Sequence, residues 1–159
     1  MSQEVLDIIV KKITEQKGDE AIEEAKLNFD EPMIILDTKN WDVKTAKLLR
    51  DDPALAFDFL SCITGVDYEE HMEVVYNFFS TTKKHSMYVK VKTTREKPSV
   101  TSVESLWKSA DYMERETYDL FGIDFPGHWN LRRILLQDDW EGHPLRKDYV
   151  TDKKALGLD

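Results

Sequence analysis

The chain has 159 residues, 41% of them hydrophobic and 33% charged, with a formal net charge of −9. That length suits one domain with a core of its own, needing no disulfide or metal staples. The acidic balance, with no basic cluster, argues against binding nucleic acid or an anionic membrane, and the single cysteine, Cys62, excludes an internal disulfide and a multi-cysteine metal site.

The first predicted element is an amphipathic helix over residues 3–16, with Val5, Ile8, Ile9 and Ile13 on one face and Ser2 as its cap. Residues 21–28 alternate weakly and are expected to pair with a strand at 32–37, whose apolar run is Met33-Ile34-Ile35-Leu36. Asn40 is expected to cap a short helix that carries Val43, Ala46, Leu48 and Leu49 and stops at Asp51-Asp52-Pro53. The apolar stretch from Ala56 to Val66 reads as a strand or a helix-to-strand passage. In it Cys62 is expected to be an inert core thiol. Residues 72–79 are β-branched and aromatic, and residues 87–93 alternate strictly, so the polar connector between them predicts an antiparallel hairpin. The longest predicted helix spans 102–121, opened by a Thr101–Glu104 capping box and closed by Gly122 in a left-handed C-cap. Its apolar face collects Val103, Leu106, Trp107, Ala110, Met113, Thr117, Leu120 and Phe121.

After Gly122 no period survives. Residues 124–149 hold two tryptophans, two histidines, Pro126, Gly127, Gly142 and Pro144, and an apolar patch of Leu131, Ile134, Leu135 and Leu136. Such a segment suits binding more than packing. The expected fold is α+β: a two-layer mixed β-sheet packed with helices over residues 1–123, followed by an extended irregular C-terminal docking tail over 124–159. No apolar run approaches the roughly 18 residues that span a bilayer. No signal-peptide core is present, so the chain is expected to be soluble, cytoplasmic or peripheral through a partner.

Glu114 falls near the middle of the apolar face of the long helix, where a carboxylate loses its water and needs a counter-charge or several donors. Arg132 and Arg133 are the expected partners, so that an ion pair pins the tail to the helix. A proton-carrying carboxylate is the functional alternative. Arg115 and Asp119 are expected to pair on the exposed side at i,i+4, and Glu116 to be solvated or offered to a partner. His71, His85, His128 and His143 are no closer than fourteen residues to one another, which does not fit a zinc site. His128 and His143 read as turn residues bonded to backbone. No Gly-x-Ser-x-Gly, dinucleotide fingerprint or phosphate loop occurs.

Three runs carry a resemblance: Glu114-Arg115-Glu116-Thr117-Tyr118-Asp119-Leu120-Phe121-Gly122-Ile123; then Gly127-His128 with Leu131-Arg132-Arg133-Ile134-Leu135; then His143-Pro144-Leu145-Arg146-Lys147-Asp148-Tyr149. Together they closely resemble the signature of the C-type subunit, the 30 kDa subunit family, of respiratory NADH:quinone oxidoreductase (complex I). Gly65-Val66-Asp67-Tyr68 extends the resemblance upstream. Asp111-Tyr112 and Trp129 depart from the family pattern of Asn-Trp and Pro. The resemblance implies a non-catalytic scaffold of the hydrophilic arm, docked on the quinone-proximal D-type subunit. Catalytic, cofactor-binding and metal residues are then absent from this chain, and NADH, flavin, iron–sulfur clusters and quinone belong to partner subunits. It also implies a peripheral position on the cytoplasmic face of the energy-transducing membrane, with membrane contact only through the complex. The family-signature and interface residues would be Glu114, Arg115, Glu116, Asp119, Gly122, Gly127, His128, Trp129, Arg132, Arg133, Trp140, His143, Pro144, Arg146, Lys147, Asp148 and Tyr149. Related membrane-bound hydrogenases and quinone reductases with other donors share the signature. The reading from a different class is a free-standing acid/base enzyme using Glu114, Asp119 and His128.

Overall fold

A computed structural model describes residues 1–158. Helix α1 (Ser2–Lys17) begins the chain, with Met1 rather than Ser2 at its N-cap position. A single 3-10 turn leads into strands β1 (Ile22–Asn28) and β2 (Glu31–Asp37), which pair as expected and run antiparallel. Helix α2 (Val43–Asp51) follows, and its cap is Asp42, whose carboxylate accepts from the Thr45 amide, not Asn40. The apolar stretch resolves as strand β3 (Phe59–Asp67), which runs on into β4 (His71–Phe79) and β5 (Ser86–Thr94) as two antiparallel hairpins. The five strands form one mixed sheet in the order β1-β2-β5-β4-β3, with β2 and β5 parallel.

Strand alternation decides which side chains are buried. Ile34, Leu36, Val89, Val91, Val74, Tyr76, Phe78, Leu60 and Ile63 share one face. They join Leu6, Ile9 and Ile13 of α1, Ala46 and Leu49 of α2, and Trp41, Phe57 and Trp107 in a single buried cluster. Cys62 pairs with Asn77 on the opposite face and is exposed, so it is not a core thiol. The two sheet edges are protected differently. Charges guard β1 at Glu23, Glu24 and Lys26. The third helix lies along β3, where Ile63 and Gly65 are buried.

That helix, α3 (Ala110–Phe121), starts eight residues later than its sequence period suggests. Residues 103–109 form turns instead, and no Thr101–Glu104 capping box is made: Glu104 binds Lys108 at 2.5 Å. Val103 and Trp107 still point into the core, which is why they fitted the helical period. Gly122 sits at φ 72°, the left-handed end that the sequence predicts.

Candidate docking site

The last carbonyls of any helix have no partner within it. In α3 they are met by the irregular segment that follows. The Asp119 carbonyl accepts from Arg133 Nη1 at 3.0 Å and faces His143 Nδ1 at 2.9 Å. The Leu120 carbonyl accepts the Leu145 amide and the Phe121 carbonyl accepts Arg146 Nε. Two cations at a helix C-terminus also complement its dipole. A side chain at position 122 would put its Cβ about 2.5 Å from the His143 ring, so glycine serves both the turn and this close approach.

The Asp119 side chain is fully buried. Its Oδ1 accepts from Arg133 Nη1 at 2.7 Å, and its Oδ2 accepts the amides of Ile134, Leu135 and Leu136 at 3.1, 2.8 and 2.9 Å. Burial alone would raise this carboxyl, but the Arg133 bond and the three amides hold it below the usual carboxylate range. Arg133 also donates Nη2 to the carbonyls of Trp140 and Gly142. Asp119 is therefore not an exposed partner of Arg115. Arg115 instead donates to the carbonyls of Arg132 and Arg133 and lies over the Tyr112 ring.

Glu114 is buried as its place in the helix demands, but neither Arg132 nor Arg133 reaches it. Its carboxylate accepts from Ser102 Oγ at 2.6 Å and from the Val103 amide at 2.8 Å, so it ties the preceding loop to α3 rather than the tail. Burial pushes its pKa up to about 7, against those two hydrogen bonds and with the Glu104 and Asp111 carboxylates adding to the rise.

The His128 side chain is also fully buried. Its Nδ1 accepts the Asn130 amide at 3.0 Å, so Nε2 carries the proton, 3.1 Å from both the carbonyl and the carboxylate Oδ1 of Asp111. His143 is likewise bonded to backbone. A polar cleft of about 830 Å³ at the end of the sheet is lined by Asp37, His71, Arg95, Arg146 and others, but by none of Glu114, Asp119 and His128.

Sequence reasoning missed a second anchor. Asp67, at the end of β3, takes Arg95 in a two-point bond at 3.0 and 2.9 Å and accepts the Lys147 amide at 2.9 Å. Arg95 reaches on to Asp148 at 3.2 Å. The Arg95 bond, opposed by burial and aided by the Lys147 and Glu69 amides, holds the Asp67 carboxyl well below its usual range. An acidic residue closing an otherwise uncharged strand was the available signal.

The remaining signature residues are placed unevenly. Trp129 is 69% and Tyr112 65% exposed, and Trp129 Nε1 donates to Asp111 at 3.0 Å. Leu135 is 61% exposed, while Trp140, Pro144 and Tyr149 are half-buried. Glu116, Arg132, Lys147 and Asp148 are exposed, and Gly127 turns at φ 92°.

The model of the family "Respiratory-chain NADH dehydrogenase, 30 Kd subunit" matches residues 36–155. The chain belongs to that family. A relative from Chloroherpeton thalassium, named as the C-type subunit of NADH-quinone oxidoreductase, is 41% identical over 92% of this chain, which spans 62% of that relative's length. A longer relative from Phocaeicola vulgatus, named as a C/D subunit of the same enzyme, is 50% identical over 64% of this chain and matches across 20% of its own length. Among solved structures, a trypsin-resistant fragment (1-134) of Nqo5 superposes with a TM-score of 0.62 at 28% identity, covering 77% of this chain and 99% of the fragment. The α+β fold is thus the family's. Among the described residues no helix is long and apolar enough to cross a membrane, and no cluster of three or more potential metal-ligating residues occurs.

Proposed function

We propose that this chain is a non-catalytic scaffold subunit of the hydrophilic arm of a complex I-like NADH:quinone oxidoreductase. It supports electron transfer from NADH to quinone, coupled to proton translocation, by docking onto the quinone-proximal D-type subunit. The NADH, flavin, iron–sulfur and quinone sites then lie in partner subunits, and the chain sits peripherally on the cytoplasmic face of the membrane.

One observation carries the reading. Arg115, Asp119 and Arg133 bond to one another's elements and to the backbone of the segment after α3, while Tyr112, Trp129 and Leu135 stand exposed. Exposed tryptophan and tyrosine on a rigid frame is the composition of a protein-binding hot spot. Internal bonds likewise tie Glu114 and His128 into the fold, which supports a structural role for both. The C/D name of the longer relative supports the D-type subunit as the neighbour.

The test is to purify the tagged chain gently from its native membranes and identify what comes with it by mass. Recovery of iron–sulfur and quinone-site polypeptides is the expected result. A flavin-bearing NADH subunit among them establishes the donor; its absence points to a hydrogenase or another donor. Recovery of the chain alone overturns the scaffold reading.

A further inference from the structure

Residues 131–146 form no helix or strand, yet they are bonded closely to the end of α3. Asp119 alone has six polar contacts with it, through Arg133, His143 and the amides of three successive residues. These bonds satisfy the C-terminal carbonyls of α3 and a buried carboxylate. If the segment lifted off, both would be left unmet, at a cost that keeps it in place. Arg133 is the junction, because one guanidinium joins Asp119 to the Trp140 and Gly142 carbonyls and so fixes the bend between residues 133 and 142. Only a planar, forked cation has donors to reach all three.

We propose that Asp119 and Arg133 are positioning residues that hold residues 131–146 in their docking shape before any partner arrives. The segment then meets the quinone-proximal polypeptide as a preformed surface and does not fold upon it. This rests on the docking reading above. A preformed surface avoids the ordering cost that a disordered segment incurs on binding, and Leu135 is presented outward because the Asp119 carboxylate grips its amide from behind.

Hydrogen exchange on the full-length isolated chain tests the shape. The amides of Ile134, Leu135 and Leu136 should be protected without any partner. In Asp119→Asn and in Arg133→Lys, which keeps the charge but loses the fork, that protection should fall by roughly tenfold to a hundredfold. The amides of Val74 and Val89 in the central strands should keep theirs, which shows that the domain still folds. In native membranes the fraction of each variant recovered in the assembled complex should fall in step. Amides 134–136 that exchange freely in the isolated parent chain overturn the preformed shape and leave docking intact. Variants that lose protection but assemble like the parent overturn the link between shape and docking. Protected amides in a chain that captures no quinone-site polypeptide overturn the docking reading itself.

Discussion

Glu114 and Asp119 stand five residues apart on one helix, and both are fully buried, yet their surroundings drive them in opposite directions. Glu114 has two neutral donors and no cation, so its pKa rises to about 7. It binds a proton more tightly folded than unfolded. Its contribution to stability is complete below the ordinary value of 4.5 and is lost as the pH climbs toward 7. The parent chain should therefore lose up to about 1.4 kcal/mol of unfolding free energy per pH unit across that window through this one group. Glu114→Gln, which keeps an acceptor for Val103 and a donor for Ser102, should flatten that slope. Urea unfolding at several pH values reads the difference, and parallel curves for the two chains would refute it. Asp67 carries the opposite sign. With Arg95 holding its carboxyl down, its contribution is present above the ordinary value of 3.8 and is lost as the pH falls further. Asp67→Asn should lower stability at neutral pH by removing the two-point partner of Arg95, which is left with Asp148 alone. Because the Lys147 amide is released as well, trypsin should cut first after Arg146 or Lys147 in that variant.

At the scale of elements, periodicity located almost everything that packs on its immediate neighbours. The strict alternation of 87–93 became a strand because one face of it meets the core, the run at 32–37 is buried on both faces, and the mostly exposed run at 21–28 is an edge strand held by pairing with it. The helix period failed at 102–109 because Val103 and Trp107 are buried from turns, and burial does not require a helix. Long-range bonds left no local trace. Nothing within a turn of Asp119 announces that Ile134, Leu135 and Leu136 will donate to it, so a wheel placed it in solvent. The β1–β2 turn offers a test of local chemistry. Phe29 and Asp30 have φ of 50° and 63°, both left-handed, and Phe29 is 95% exposed. Such a two-residue hairpin favours Asn-Gly, and a phenylalanine there is strained with no packing in return. Phe29→Asn with Asp30→Gly should raise stability by about 1 kcal/mol, seen as a higher denaturant midpoint at unchanged slope.

For the whole molecule, the architecture divides labour between a sheet-and-helix core and an irregular surface fastened to it. The core needs no partner to bury its apolar cluster. The surface has a different balance: Tyr112 and Trp129 flank Asp111 at the start of α3, and Leu135 projects from the segment that Asp119 grips. Large aromatics this exposed lower the stability of an isolated chain by little when truncated, within about 0.5 kcal/mol at sites without buried contacts. At the centre of an interface the same truncation costs about 2 kcal/mol or more, roughly thirtyfold in affinity. Tyr112→Ala combined with Trp129→Ala should therefore leave the melting temperature and circular dichroism of the isolated chain nearly unchanged, while sharply reducing its recovery with the quinone-site subunits. Leu145→Ala is the comparison, because Leu145 is also half exposed but lies beside the β3 edge. Equal losses of assembly in both variants would mean that the contact is diffuse. A loss confined to the aromatic pair would place the hot spot at the start of α3, and no loss in either would move the docking surface to another face of the domain.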